Sequence, residues 1–141
     1  MNRQSKGISL KKINVTDRFL KREMELARTE VIPYQWEALN DNVEGAEPSF
    51  CMRNFKLAAK LGEKRRTLGQ ESLPVWTTEE FNLVPEKGKP MEDRFYGFVF
   101  QDTDFSKWIE AVGYSLAAHP DPELEKLADH AIDIVCAAQY E

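Results

Sequence analysis

The amino-acid sequence predicts an all-α domain that is built around an αα-hairpin and preceded by a short β-strand. Apolar residues recur at helical spacing in four segments of the chain, which is the pattern of amphipathic helices. The last two segments are joined by a short His-Pro-Asp turn, and helices connected in this way pack antiparallel. With 141 residues, the chain has the length of one ordinary domain and can bury a core without disulfide bonds.

Composition excludes several classes of protein. The sequence is 42% apolar and 30% charged, which excludes a disordered or low-complexity chain. No apolar stretch approaches the ~20 residues of a membrane-spanning helix. Residues 1–12 are basic and polar rather than a secretory leader, so the cytoplasm is the expected location. The net charge of −5 argues against general binding to nucleic acid.

The charge is unevenly distributed along the chain. Residues 1–72 carry 14 basic and 10 acidic side chains, whereas residues 73–141 carry 5 and 14. This polarity predicts that the two halves face different neighbours, either each other or a partner. Ordinary scatter of solvated charge is the alternative interpretation.

The N-terminal segment has the alternation of a strand. Apolar and polar side chains alternate over Gly7–Lys11, which predicts one short strand. Because a strand needs hydrogen-bonded neighbours and no later segment is an evident partner, we expect residues 1–13 to form an arm that pairs outside the predicted helices.

The first helix is predicted from a stripe of apolar residues. They lie at helical spacing and are Leu20, Met24, Ala27 and Val31. Thr16 is the expected N-cap. Since Pro33 lacks a backbone N–H and disfavours helical geometry in the residue before it, we expect the helix to stop or kink there. A short second helical turn is expected over residues 34–41.

The next helix is expected to begin at Pro48, which suits a first helical position, and to end at Gly62. Its apolar face consists of Cys51, Phe55, Ala58 and Ala59. Residues 63–97 are punctuated by glycine, proline and charge clusters and are predicted to form an irregular loop, with Thr77–Leu83 as its one possible helical turn. Loops usually have ~4–6 residues, and longer ones are commonly functional or inserted.

The clearest helical pattern follows Gln101–Asp104 and ends at His119-Pro120. Its apolar face consists of Phe105, Trp108, Ile109, Val112 and Leu116. Asp121 is the expected cap of the last helix, and Pro122 is its expected first residue. That helix has no C-terminal cap, so we expect the sequence to be part of a longer chain.

Residue types that bind metals or act as nucleophiles are few and have no ligand spacing. His119 and His130 lie in different elements, and Cys51 and Cys136 belong to no CxxC or HxxxH motif. No GxSxG motif or glycine-rich phosphate loop is present. The sequence predicts no complete metal site, and the two cysteines are most simply core residues.

Two segments combine polar and aromatic side chains in a way that suits sugar binding. In the first, Gln35 lies beside Tyr34, Trp36 and Glu37, a mixture that can stack on a sugar and bond its hydroxyls. The alternative is that Trp36 is core and Gln35 caps the interrupted helix. In the second, Gln101, Asp102 and Asp104 cluster at a helix N-terminus, where capping is the slightly favoured alternative.

Four segments, in this order, closely resemble the N-terminal part of glycoside hydrolase family 127, the bacterial β-L-arabinofuranosidases. They are Val31–Asp41, Asn54–Ala59, Phe98–Ala111 and His119–Leu124. The resemblance extends from about Ile13 to Gln139. It implies an (α/α)6 barrel catalytic domain, of which residues 14–141 are the N-terminal portion, followed by β-sandwich material that the first strand joins.

The resemblance also implies a retaining mechanism. A family cysteine acts as nucleophile while bound to zinc, which further cysteines and a glutamate hold, and another glutamate is the acid/base. Those motifs lie downstream of the matched stretch, and neither Cys51 nor Cys136 corresponds to them. The resemblance therefore implies no catalytic residue, metal ligand or cofactor within this chain, although zinc is expected in the full-length protein. Gln35 and the Gln101–Asp104 motif are the candidates to line the barrel mouth, with Gln35, Gln101, Asp102 and Asp104 as substrate-binding residues.

The expected function is therefore that of an N-terminal portion of a hydrolase of terminal β-L-arabinofuranosides, inactive alone. An arabinofuranosyl oligosaccharide is the expected partner, with no nucleic acid or membrane. Helix faces made to pack on absent neighbours predict self-association. Two alternative interpretations remain open. The chain is a family member that has lost its active site, or it is a non-enzymatic helical module that binds a partner or a carbohydrate.

Overall fold

A computed structural model describes residues 6–69 and 82–139 of the chain. The helices are α1 (Arg18–Leu26), α2 (Ile32–Leu39), α3 (Cys51–Leu68), α4 (Asp102–Ala118) and α5 (Pro122–Ala137). Two short strands, β1 (Asn82–Leu83) and β2 (Gly97–Phe98), pair antiparallel, with Asn82 opposite Phe98 and Leu83 opposite Gly97. The predicted all-α class is confirmed.

The predicted N-terminal strand is wrong. Residues 7–9 have no regular structure, and Leu10–Lys12 form a 3₁₀ turn in which the amide of Lys12 donates to the Ser9 carbonyl at 2.9 Å. Alternating polarity does not suffice for a strand, because its backbone groups need a neighbour, and the two strands of the described residues pair with each other.

Helices α1 and α2 form one rod that passes through Pro33. The interruption is a π-helical turn, Ala27–Val31, in which the amide of Ile32 donates to the Ala27 carbonyl. This turn starts a new α-helical segment, so that Pro33 falls in the first turn of α2, where its missing N–H leaves no hydrogen bond unmade. Asp17, rather than Thr16, is the N-cap of α1; its carboxylate accepts from the Leu20 amide at 2.8 Å.

Helix α3 begins three residues later than predicted. Asp41 Oδ1 accepts the amides of Ser49 and Phe50 at 2.7 and 2.9 Å. Phe50 is the N-cap residue and has a left-handed backbone with φ of 59°. Because this cap is supplied from a loop eight to nine residues upstream, Pro48 does not serve as the first helical residue.

Helix α3 also passes through Gly62, the predicted end, and terminates at Gly69, which adopts a φ of 63°. A single interior glycine costs a helix about 1 kcal/mol, and this helix tolerates it, whereas a left-handed terminal residue favours glycine. The predicted loop 63–97 therefore starts as helix. The predicted turn at Thr77–Leu83 lies outside the described residues except for its last two, which form β1.

The αα-hairpin is confirmed with its predicted caps. Helix α4 ends before His119, and Asp121 caps α5 by accepting the amides of Glu123 and Leu124 at 3.1 and 3.2 Å. Pro122 is the first residue of α5. These signals all lie within three residues of the boundary that they set.

The core lies between α2, α3, α4 and α5. Its buried residues are Ile32, Leu39, Cys51, Met52, Phe105, Trp108, Val112, Leu124, Ala128 and Ala131. Trp108 is 1% exposed, and its indole N–H donates to the Ile32 carbonyl at 3.0 Å. The core interpretation of Trp36 is confirmed in part, since it is half-buried against this cluster, 4.8 Å from the Trp108 ring.

Helix α1 contributes no buried residue. Its large apolar side chains are exposed: Phe19, Leu20, Met24 and Leu26. The apolar stripe that predicts this helix therefore faces outward in the structure. Cys136 is likewise exposed on α5, so its prediction as a core residue is wrong, whereas that of Cys51 is confirmed.

Candidate functional site

A cavity of about 220 Å³ lies between the first turns of α3 and α4 and the segment around β2. Its lining combines apolar, aromatic and polar side chains: Cys51, Asn54, Phe55, Ala58, Phe95, Phe98, Val99, Gln101 and Asp102. Pockets for drug-sized ligands occupy about 300–1,000 Å³. This cavity is smaller, so it suits a single small ring rather than a chain of several.

Asn54 fixes one wall of the cavity, because its side-chain amide forms the two backbone hydrogen bonds that a neighbouring strand would otherwise form. Its Nδ2 donates to the carbonyl of Tyr96 at 2.7 Å, and its Oδ1 accepts the amide of the same residue at 3.3 Å. One side-chain amide thus satisfies both backbone groups of a residue that is 5% exposed. The pair of bonds attaches the segment before β2 to helix α3.

Arg53, which directly precedes Asn54 in α3, holds the same segment. Its guanidinium donates to the carbonyls of Glu92 and Arg94 at 2.7 and 2.8 Å and lies 4.8 Å from the centroid of the Tyr96 ring. About two and three turns farther along α3, Lys60 and Lys64 donate to Asp93. Their hydrogen bonds hold the pKa of the Asp93 carboxyl below its usual range.

Gln101 presents an unsatisfied acceptor at the cavity. Its Oε1 is buried and has no hydrogen-bond partner among the described residues. The carboxamide lies against the backbone of Gly97, where a Cβ would come within 2.1 Å of Oε1. Buried polar atoms are usually hydrogen-bonded, so this oxygen is suited to accept a donor from a ligand.

We expect Gly97→Ala to lower the free energy of unfolding by about 2 kcal/mol, because it adds a strained left-handed residue and the new methyl displaces Gln101. The φ of Gly97 is 85°. Urea denaturation followed by circular dichroism measures the change. Gly113→Ala is the matched control: this glycine lies in α4 with no atom within 4 Å of its added Cβ, so the substitution is expected to be neutral or stabilising. Equal effects of the two substitutions would contradict the role given to Gly97.

Cys51 is a buried, protonated thiol in this cavity wall. It is 2% exposed, and its Sγ donates to the Gln101 carbonyl at 3.1 Å. Burial, with a smaller contribution from the charges of Asp104 and Asp102, raises the pKa of the thiol to about 12. Because the thiolate is the reactive form, a buried thiol with a raised pKa that donates to a carbonyl suits packing better than nucleophilic attack.

We expect a thiol reagent at neutral pH to modify Cys136 and to leave Cys51 unmodified in the folded chain, since Cys136 is exposed and Cys51 is buried with a raised pKa. Ellman's reagent with and without denaturant measures the difference, and Cys136→Ser is the control that removes the fast phase. Rapid modification of Cys51 in that folded variant would contradict the buried, hydrogen-bonded thiol.

The structure brings together two of the four residues predicted to bind substrate. Gln101 and Asp102 line the cavity. Asp104 is exposed and pairs with Lys107 at 3.0 Å, and Gln35 is exposed on α2; neither lines the cavity. The capping alternative is wrong for the aspartates, because the N-cap is Gln101 and no side chain caps α4.

Sequence reasoning missed Asn54, Phe95 and Phe98 as site residues. Asn54 is the first residue of one of the four segments that carry the family resemblance. That position is the one signal in the sequence that could have identified it as a site residue. The two phenylalanines form part of an aromatic run, and Phe98 packs edge-on against Phe100 with ring centroids 5.4 Å apart. Phe98 is 44% exposed, so it offers an apolar surface at the cavity.

Comparison with known proteins identifies the family. The family profile described as "Beta-L-arabinofuranosidase, GH127 catalytic domain" matches residues 12–141. The chain belongs to glycoside hydrolase family 127. The resemblance found in the four sequence segments is thereby confirmed.

Two relatives show what share of their own length this chain matches. A non-reducing end β-L-arabinofuranosidase of Bifidobacterium longum subsp. longum is 34% identical over 127 residues, which are 90% of this chain and 17% of the relative. A crystal structure of a β-L-arabinofuranosidase from Geobacillus stearothermophilus T6 is 42% identical with a TM-score of 0.64, and the match covers 90% of this chain and 15% of that one. The chain thus spans about one-sixth of the length of either relative.

The zinc that the family resemblance implies does not fit the described residues. In 6–69 and 82–139, no group of three His, Cys, Asp or Glu side chains is placed to hold a metal ion. Cys51 belongs to no such group, and its Sγ donates to the Gln101 carbonyl at 3.1 Å. In the same residues, no helix is long and apolar enough to cross a membrane.

Proposed function

We propose that this chain supplies the N-terminal portion of the catalytic domain of a retaining glycoside hydrolase that cleaves terminal β-L-arabinofuranosides. The observation that carries the proposal is its 42% identity to a solved family 127 β-L-arabinofuranosidase over 90% of the chain. On this proposal, residues 14–141 are part of an (α/α)6 barrel that follows an arm of residues 1–13. The substrate class is an arabinofuranosyl oligosaccharide, and the location is the cytoplasm.

Within this proposal, the cavity beside Gln101 holds one sugar ring. The unpartnered Oε1 of Gln101 accepts a hydrogen bond from a sugar hydroxyl, and the carboxylate of Asp102 accepts another. Phe98 supplies the apolar surface on which the carbons of the ring pack. Gln35 and Asp104 lie outside this cavity, and we retain them as proposed contacts to the sugar. Asp104 must release its ion pair with Lys107 before it can bind a sugar hydroxyl.

The 141 residues alone are not expected to hydrolyse a glycoside. The family's nucleophile, acid/base and zinc ligands belong to the larger part of the catalytic domain that the matches to this chain do not include. The role of this chain in the reaction is therefore to bind and orient the sugar. A fixed wall that orients the sugar increases the rate. The bound sugar has already lost translational and rotational entropy, so this loss is not added to the activation barrier.

A non-enzymatic helical module is the second candidate function. The observation that favours it is the exposed apolar face of α1, where Phe19 is 67% exposed. Contiguous apolar surface of this kind marks contact with another protein. On this alternative the face binds a partner or a second copy of the chain, and the cavity beside Gln101 binds a sugar without cleaving it.

A chimeric enzyme distinguishes the two candidates. Residues 12–139 of this chain replace the matching segment of the Geobacillus enzyme, and hydrolysis of p-nitrophenyl β-L-arabinofuranoside is measured. We expect an active chimera in which Gln101→Ala lowers kcat/KM by about tenfold, the loss of one buried hydrogen bond to substrate. Gln139→Ala is the control, since Gln139 is exposed. A chimera that folds like the parent enzyme but has no activity would support the non-enzymatic module.

A further inference from the structure

A second cavity, of about 440 Å³, lies at the opposite end of α4 from Gln101. Its lining comes from the segment before α1, from α1 and from the end of α4, and consists of Ile13, Asn14, Val15, Arg18, Lys21, Arg22, Met24, Glu25, Ala118 and His119. The volume falls within the range of about 300–1,000 Å³ that small-molecule sites occupy. It is therefore large enough for a small molecule rather than an ion alone.

Three cationic side chains of this cavity form no ion pair within the described part of the chain. Arg18, Lys21 and Arg22 make no ion pair or side-chain hydrogen bond with the described residues. By contrast, Lys107 and Lys126 each pair with an acidic side chain of their own helix, at 3.0 and 2.8 Å. The cavity thus has more cationic than anionic side chains in its lining.

The one carboxylate in the lining is already occupied. Glu25 accepts two hydrogen bonds from Arg28, the shorter at 2.6 Å. Those bonds, together with the charges of Arg28, His119 and Lys21, hold the pKa of Glu25 below its usual range. Glu25 is thus hydrogen-bonded to Arg28 and is the one carboxylate in a lining that holds Arg18, Lys21 and Arg22, so the lining has a net positive charge.

The spacing of the cations allows them to converge on one ligand. Lys21 and Arg22 follow Arg18 by three and four residues on α1, so the Cβ atom of each lies about 5–6 Å from that of Arg18. Arginine guanidinium groups bind carboxylate and phosphate oxygens through paired hydrogen bonds. We propose that this cavity binds the oxyanion of a small molecule, a carboxylate or a phosphate group, through Arg18, Lys21 and Arg22.

The site also offers groups that recognise the rest of the ligand. Asn14 and His119 supply polar side chains, while Ile13 and Met24 supply apolar surface. A sugar acid or a sugar phosphate combines these properties. This site explains part of the positive charge of the first half of the chain, which the arabinofuranose site beside Gln101 does not use.

The proposal is independent of the proposed hydrolase function. Helix α4 has 17 residues, which separate its two ends by about 25 Å, so one monosaccharide cannot reach both cavities. An anion titration therefore tests the second cavity whether or not the chimeric enzyme is active.

Isothermal titration calorimetry of the 141-residue chain at low ionic strength tests the proposal with two probes, inorganic phosphate and glucuronate. We expect saturable binding that weakens as sodium chloride is added, because exposed charges are screened within about 10 Å at 0.1 M salt. Arg18→Gln with Arg22→Gln is expected to weaken binding by at least about tenfold. The matched control, Lys107→Gln with Lys126→Gln, removes the same net charge from outside the cavity and is expected to leave the affinity unchanged.

Each outcome decides the proposal. Binding of phosphate and glucuronate supports a general oxyanion site, and binding of glucuronate alone identifies a sugar-borne carboxylate as the ligand. Equal weakening in the two double variants overturns the proposal, because it attributes binding to net charge rather than to this cavity. A wild-type chain that binds neither probe overturns it regardless of how the variants fold.

Discussion

Trp108→Ala is expected to lower the free energy of unfolding by about 3–5 kcal/mol, the range for removing a large aromatic residue from a core. Trp108 is 1% exposed and packs against Trp36 and Phe105, with ring centroids 4.8 and 6.2 Å away. Alanine leaves a cavity where α2 and α4 meet. Since small domains are stable by about 5–15 kcal/mol, the loss is a large fraction of the total.

The indole hydrogen bond adds a polar component that a second variant isolates. Trp108→Phe retains an aromatic ring but removes the N–H that donates to the Ile32 carbonyl at 3.0 Å. We expect this variant to be destabilised by about 1–3 kcal/mol, less than the alanine variant. Urea denaturation monitored by circular dichroism measures both.

The control for Trp108 is an aromatic residue of the same helix. Tyr114 is exposed, and its hydroxyl donates to Glu110 at 2.9 Å. Tyr114→Ala is expected to change stability by less than about 0.5 kcal/mol. A Trp108→Ala variant as stable as Tyr114→Ala would show that the four-helix core does not depend on the contact of α4 with α2.

The sequence predicts an element boundary correctly when the residues that set the boundary lie close to it in the chain, and less well when they lie far from it. The boundary between α4 and α5 is predicted correctly because Asp121 accepts two amides within three residues of itself and Pro122 is the first residue of α5. The start of α3 is not, because Asp41 holds the amides of Ser49 and Phe50 from across a loop. A cap supplied across a loop leaves no local signature of the kind that marks an ordinary N-cap.

The same distinction holds for the candidate site. Gln101 and Asp102 are predicted because polar residues cluster at a helix start in the sequence itself. The contribution of Asn54 depends on a backbone 42 residues away, and no periodicity or spacing rule connects the two positions. Gln35 and Asp104 have the right chemistry, but the described contacts place them outside the cavity, which only the three-dimensional arrangement determines.

The alternation of apolar and polar residues near the N-terminus predicts a strand wrongly for a related reason. A strand is stabilised by pairing with a neighbour, and the sequence of residues 7–11 contains no information about one. Within the described residues the segment turns instead at Leu10–Lys12. The apolar stripe of α1 was predicted correctly as helix, since helical hydrogen bonds lie within the segment, although its apolar face remains exposed.

Asn42→Ala provides the baseline for a second large effect, at Asn54. Asn42 is an exposed asparagine whose side chain donates to Glu37 at 2.8 Å. Water replaces that bond when the side chain is removed, so we expect a change of less than about 0.5 kcal/mol. The comparison separates the loss of an asparagine side chain in general from the loss of its specific role at Asn54.

Asn54→Ala is expected to lower the free energy of unfolding by about 2–6 kcal/mol, because it leaves the buried amide and carbonyl of Tyr96 without partners, at about 1–3 kcal/mol for each. Arg53 still holds the carbonyls of Glu92 and Arg94, so the loss is confined to the segment that leads into Gly97. Urea denaturation measures the stability, and hydrogen exchange of the Tyr96 amide reports the local release. If that amide exchanges no faster and stability matches Asn42→Ala, then Asn54 does not hold the cavity wall, and the position of Gln101 must be set by α4 alone.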